Sequence, residues 1–244
     1  MNYPNAPIRE ALFDIRVNSI NIKKTEDLLE LKEIIKIDFP ELKLIHQFTS
    51  KIQISVDKPP EGESQSDLSG YVFISEDKTR QLQVKIDGIT LNILKPYENW
   101  EKHFTYFIEI WNKYNELFSP NSITRIATRF INRIEIPMPL NNFQEYIVNT
   151  PPIPKCLPQV FASFFMQTQI PCNIEGANRN AIISETIEPI TNDILPFILD
   201  IDVFQVLDVQ NKDNNLIKNF NEIRILENEI FENCITDKTR NLFL

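Results

Sequence analysis

Alternation with a period of two is the feature that most narrows what this chain can become. In residues 8–18, Arg9, Ala11, Phe13, Ile15 and Val17 fall on one side and Glu10, Leu12, Asp14 and Arg16 on the other, as in a half-buried strand. Residues 47–56 repeat the pattern, with Gln47, Thr49, Lys51, Gln53 and Ser55 interleaved with Phe48, Ile52, Ile54 and Val56. Tyr71–Ile74, Gln81–Ile86 and Ile89–Leu94 then read as a three-stranded meander, with Asp87-Gly88 suited to a type I′ turn. A chain patterned this way builds antiparallel sheet with one dry face and one wet face.

Helical spacing breaks the alternation. Thr25 can cap a first helix carrying Leu28, Leu31, Ile34 and Ile35, which Pro40 ends. Over 99–118, Trp100, Phe104, Phe107, Ile108, Trp111 and Phe118 recur three or four apart, and Ser119-Pro120-Asn121-Ser122 stops the pattern. The order then restarts: a long strand over 123–136, a short helix over Asn141–Val148, and strands over Val160–Ile170, Ala181–Ile187 and Leu195–Leu207. A closing helix carries Leu216, Phe220, Ile223, Leu226, Ile230 and Cys234, and Thr236–Phe243 adds a short terminal helix.

The prediction is an α+β fold of duplicated β-α-β-β-(β)-α units, 1–120 and 121–244, sharing a largely antiparallel sheet with helices packed on one face. Pro59-Pro60-Glu61-Gly62-Glu63-Ser64-Gln65-Ser66-Asp67 has no apolar residue to bury and reads as a mobile loop. Pro137, Pro139, Pro151, Pro152, Pro154 and Pro158 mark the crossover between 137 and 158.

Composition removes several function classes. The 244 residues, 42% apolar and 24% charged, are those of a globular protein able to bury its own core. Asp plus Glu outnumber Lys plus Arg by 34 to 25, a net charge of −9 that repels phosphate backbones at long range. Cys156, Cys172 and Cys234 have no CxxC spacing, which points to reduced thiols. The N-terminus lacks a basic region followed by an apolar one, and no apolar run approaches about 18 residues, so a cytoplasmic protein without a membrane span is expected. Four glycines supply neither a P-loop nor a dinucleotide fingerprint, His46 and His103 have no metal-binding spacing, and no serine sits in GxSxG. The expectation leans away from an enzyme.

The candidate residues are charged. Arg125, Arg129 and Arg133 share one parity and project from one strand face at intervals of about 13 Å. With Lys51 and Lys85 they form a candidate anion or nucleic-acid surface, since guanidinium groups hold carboxylates and phosphates bidentately. The alternative is a salt-bridge ladder, in which Glu10 and Asp14 oppose two of the arginines. Asp200 and Asp202 share a strand face and are a two-ligand candidate for Mg²⁺, with Glu185 or Asp208 as a third. Phe161 and Phe165 share a parity with Gln167 and Gln169, the makings of a stacking platform for single-stranded nucleic acid.

Short pieces recur in order along the whole chain: Pro7-Ile8-x-Glu10-Ala11, Gly70-Tyr71-x-Phe73 with Ser75-Glu76-Asp77, Pro96-Tyr97-x-x-Trp100, Arg125-x-x-x-Arg129-x-x-Asn132-Arg133-Ile134, Asp200-x-Asp202, and Phe231 with Thr236. In these the chain resembles a sporadically distributed family of prokaryotic proteins of about 250 residues with no established activity. The resemblance carries no catalytic residue. Its patchy distribution implies a partner gene, as in antiviral defence or toxin-antitoxin loci. The first expectation is therefore a non-enzymatic protein-interaction module, a partner or neutralising subunit in such an operon. The second is a nucleic-acid-binding or processing protein using the arginine-lined face. A third is a pocket between the halves that takes a small anionic ligand and shares the arginines.

Overall fold

The computed structural model describes residues 3–18, 20–55, 58–172, 178–207 and 215–244, with backbone alone at 51–63. The strands are β1 (Ile8–Asn18), β2 (Glu41–Ser55), β3 (Lys58–Ile74), β4 (Arg80–Lys85), β5 (Gly88–Leu94), β6 (Ser122–Pro137), β7 (Phe165–Pro171), β8 (Arg179–Ile187) and β9 (Ile194–Val206). The helices are α1 (Glu30–Ile35), α2 (Trp100–Phe118), α3 (Leu216–Cys234) and α4 (Asp237–Arg240). The strands join in one nine-stranded antiparallel sheet, ordered β2-β3-β4-β5-β1-β6-β9-β8-β7. The α+β class follows directly, and the sheet runs unbroken through both halves of the chain.

β1 and β6 lie together at the centre, with Phe13 opposite Thr128 and Asp14 opposite Ala127. That register separates the faces. Ala11, Phe13 and Ile15 join Ile126, Thr128 and Ile134 on a dry face, while Asp14 and Arg16 join Arg125, Arg129 and Arg133 on the other.

The dry face is covered by helices. Phe13 packs its ring against Trp100, Phe104 and Phe107 of α2, with centroids 5.1, 6.1 and 5.6 Å away. Phe220 of α3 meets Phe104 at 5.2 Å and Phe107 at 6.0 Å, so helices from the two halves pack against each other over the dry face. The buried stripe of α2 follows the three-to-four spacing of its aromatics. Asn99 caps α2, accepting the Lys102 N–H at 2.8 Å, and Ser119 ends it in the left-handed region at φ 43°. Before α1, a 3-10 turn at Thr25–Leu29 buries Leu28, and Arg80 of β4 lies over the rings of Phe39 and Tyr106. No described helix is long and apolar enough to cross a membrane.

Several local expectations differ from the structure. Pro59–Asp67 is not a loop but part of β3, paired with β2 from Ser55↔Lys58 to Glu41↔Ile74. β4 pairs only with Gly70–Ile74, so residues 58–68 of β3 have β2 alone beside them. The described side chains of this ribbon at 46–50 and 64–67 are exposed, so no buried face sets the residue choice in that part of β3. Prolines 59 and 60 are tolerated there because β3 has a free flank. Asn141–Val148 holds only a 3-10 turn at Phe143–Glu145, and β7 begins at Phe165 rather than Val160. The tight turn between β4 and β5 is Ile86-Asp87, with Lys85 opposite Gly88. Gly88 serves another purpose: at φ 138°, a Cβ there would stand 2.0 Å from the Ile15 carbonyl oxygen.

Candidate functional site

β1, β6 and β9 place a lattice of charges on the face opposite the helices. In β6 every second residue turns to this face, and β9 contributes Asp200 and Asp202 beside it, with Arg129 opposite Asp202. Each arginine of the row meets acid. Arg125 Nη1 donates to Asp14 Oδ2 at 3.0 Å, and its Nη2 lies 3.6 Å from Asp202. The Arg125 guanidinium also lies 4.5 Å over the Phe204 ring. Arg129 holds Asp200 bidentately, Nε to Oδ1 at 2.7 Å and Nη2 to Oδ2 at 2.5 Å. Arg133 donates to Glu188 at 3.1 Å and to Glu135.

Asp14 is the centre of the lattice and is only 7% exposed. Thr90 donates to its Oδ1 at 2.6 Å, while Arg16 and Arg125 donate to Oδ2 at 3.1 and 3.0 Å. Glu10 departs from the expected pairing: its carboxylate accepts from Asn92 Nδ2 at 2.6 Å, and Asn92 accepts in turn from Gln83 at 3.3 Å. Hydrogen bonding to Asp200 holds the Arg129 guanidinium above its usual range. Burial raises the Asp202 carboxyl, against the pull of Arg125 and Arg129, and its Oδ1 has no hydrogen-bond partner among the described residues.

Lys85 ends β4 on this face, half-buried, opposite Gly70 of β3. The side chain of Lys51 lies outside the described residues. The Asp200–Asp202 pair does not fit a divalent ion, because Arg129 engages both oxygens of Asp200. Glu185, opposite Leu199, turns to the helix side, and Asp208 lies outside the described residues. Among the described residues no group of three or more His, Cys, Asp or Glu could hold a metal. The aromatic platform is not assembled either. Phe161 packs on Phe143 and Phe164, with centroids 6.0 and 5.1 Å away, whereas Phe165 is 70% exposed at the start of β7.

A cavity between the halves does exist, of about 680 Å³, but it lies on the helix side. Its floor is Phe130, Asn132 and Ile201, whose parity is opposite to that of Arg125, Arg129 and Arg133, so the arginine row takes no part in it. Glu227 of α3 lines it and is buried, accepting from Thr128 Oγ1 at 2.8 Å. Sequence reasoning passed over Glu227, although Phe220, Ile223, Glu227, Ile230 and Cys234 make a three-to-four stripe, and a carboxylate inside such a stripe is the signal that marks it. No protein-family model matches the chain, and no curated protein matches it, so the functional reading rests on this geometry.

Proposed function

We propose that this chain is a non-enzymatic protein-interaction module that presents the uncovered face of its sheet to a protein partner. The observation that carries the reading is the lattice itself: a broad strand-built face, clear of the helix packing, on which bases and acids are already matched. Side chains locked by their neighbours lose little freedom on docking, and mixed signs favour another mixed surface over a polyanion. The net charge of −9 weighs in the same direction. Exposed apolar side chains at the two ends of the sheet, Phe48 of β2 at 75% and Phe165 of β7, supply contact area at the margins.

The runner-up, nucleic-acid binding through Arg125, Arg129 and Arg133, has less behind it. Phosphates would have to displace Asp14, Asp200 and Glu188 from guanidiniums they already satisfy. The reading also takes the halves as repeats of one unit. β1 and β6 sit side by side, each flanked outward by the last strand of its own half, and α2 and α3 follow those strands. The implied partner gene supplies the first candidate, an effector of a defence or toxin-antitoxin operon.

Co-expression with products of neighbouring genes tests the proposal. Lys85→Glu and Gln83→Arg on the open face are expected to lower recovery of the partner roughly tenfold, as rim and core contacts of an interface do. Lys218→Glu on α3 is expected to leave recovery unchanged. Equal loss with Lys218→Glu, or no loss with Lys85→Glu, overturns it. Salt-sensitive RNA or DNA binding that disappears when the three arginines become alanine decides for the runner-up.

A further inference from the structure

The two edges of the sheet are guarded differently. β2, at one edge, carries Glu41, Lys43 and Lys51. β7, at the other, reads Phe-Met-Gln-Thr-Gln-Ile-Pro over Phe165–Pro171 and carries no charge. Among the described residues β7 has β8 alone beside it, and every residue of the strand but Met166 is exposed, Phe165 to 70% and Ile170 to 44%. Proteins that stay single blunt such an edge with charge, proline or a bulge. β7 has one proline, at its last position, and an unbroken register with β8.

The direction of its peptide groups follows from one bond. The Cys172 N–H donates to the Arg179 carbonyl at 2.8 Å, continuing the ladder one step past Pro171↔Asn180. Bonding alternates along an antiparallel strand, so Met166, Thr168 and Ile170 spend their peptide groups on β8, while those of Phe165, Gln167 and Gln169 point outward. Pro171 has no N–H to leave unmatched there, and presents its carbonyl oxygen. The strand is also close to a palindrome about Thr168: a glutamine on each side, then Met166 and Ile170, then Phe165 and Pro171. An antiparallel copy related by a twofold at Thr168 sets Gln167 opposite the partner's Gln169, Met166 opposite the partner's Ile170 and Phe165 opposite the partner's Pro171. Like then meets like, no charge meets its own sign, and the outward N–H and C=O groups of the two glutamines match. A sequence that reads alike in both directions is what a twofold requires and a foreign strand does not, so the occupant that fits is a second copy.

We propose that β7 is a dimerisation edge, through which two copies of this chain pair antiparallel about a twofold at Thr168 and join their sheets into one. The contact consumes the uncharged edge of each copy and leaves the charged β2 edge outside, so assembly stops at two. Paired strands alone bury less than a standard interface, which sets a dissociation constant of roughly 10 µM. Sedimentation velocity of the full chain over a concentration series tests it, and the parent is expected to pass from monomer to dimer around that value. Thr168 meets its own copy in a non-hydrogen-bonded pair, where side chains stand closest. Thr168→Lys and Thr168→Glu are each expected to weaken the dimer at least about tenfold, and an equimolar mixture of the two variants is expected to restore it. Gln167→Pro, which removes an N–H that β8 does not use, is expected to weaken it likewise. Ser50→Lys on the β2 edge is expected to leave it unchanged. A parent still monomeric at about 200 µM overturns the proposal. So does full dimerisation of Thr168→Lys, a mixture that stays monomeric, or a loss with Ser50→Lys equal to that with Thr168→Lys. The Thr168 variants, at an exposed position, keep the test decisive should Gln167→Pro fail to fold. The purified chain is the sole protein in the cell, so the outcome is separate from that of partner recovery by the open face.

Discussion

On the open face, Asp14 is nearly buried, yet Thr90, Arg16 and Arg125 all converge on it. On the other face of the sheet, Glu227 accepts from the Thr128 hydroxyl at Oε2, and neither Glu227 Oε1 nor Glu185 Oε1 has a hydrogen-bond partner among the described residues. The first carboxylate is surrounded by cations and forms a stable junction in a charged lattice. The other two are carboxyls held raised by burial, Glu185 up to about 7. The contrast teaches that burial alone does not fix the charge of an acid; the donors that reach it do. On the open face Asp14 meets donors on both of its oxygens, whereas on the helix side burial raises the Glu227 and Glu185 carboxyls.

Replacing the central acid is expected to break the contrast most severely. Asp14→Ala leaves Arg16, Arg125 and Thr90 facing an empty position, and a loss of about 3 kcal/mol in urea unfolding is expected at pH 7. A loss below about 1 kcal/mol would place the Asp14 junction among ordinary surface pairs.

Glu185 gives the opposite sign. The folded state keeps its proton up to about pH 7, while the unfolded chain releases it near the ordinary 4.5. Between those values the folded protein binds more protons, so stability falls as pH rises through that window and levels off above it. Glu185→Gln is expected to flatten this slope, matching the parent near pH 4 and exceeding it by about 2 kcal/mol at pH 8, after allowing for solvent screening. Cys234 lies within its influence, and burial pushes that thiol up to about 12, so it does not titrate in the window. A parent whose stability stays level from pH 4.5 to 7 would remove Glu185 from the contrast.

The smallest effect is expected at the outer part of the lattice. Arg129 and Asp200 are bidentate, but the arginine side chain is 43% exposed. A double-mutant cycle of Arg129→Ala and Asp200→Ala is expected to give a coupling of about 1 kcal/mol that shrinks in high salt. A coupling of about 3 kcal/mol or more, the scale of buried pairs, would extend the behaviour of Asp14 over the whole row.

Alternation made much of this legible before any coordinates. It placed β1, β6 and β9 and put Arg125, Arg129 and Arg133 on one face with Asp14, because side-chain parity is a property of the extended backbone itself. The identity of the partners was less accessible: Asp200 reached Arg129 through β6–β9 pairing, and Glu10 went to Asn92 across β5, and no local rule specifies either choice. The β3 arm was hidden because Ser64, Gln65, Ser66 and Asp67 are all exposed and leave no alternation to read. Asn141–Val148 was expected to be a short helix, yet Phe143 there packs its ring against Phe161, Phe164 and Phe197 from a single 3-10 turn. Glu227 was missed because Leu226 beside it also fits helical spacing, and only packing decides which of two neighbours turns inward.

The arm formed by the outer reach of β2 and β3 has a mechanical consequence. Both of its long margins leave peptide groups unmatched, the arrangement by which strands of separate molecules zip together. The sequence there includes Pro59, Pro60, Glu61 and Glu63. Proline withholds amide hydrogens and glutamate repels its own kind, so a copy of this chain is a poor match for the arm. Because β3 is one continuous strand, a pull on the arm is transmitted to the buried rings of Tyr71 and Phe73 at its other end.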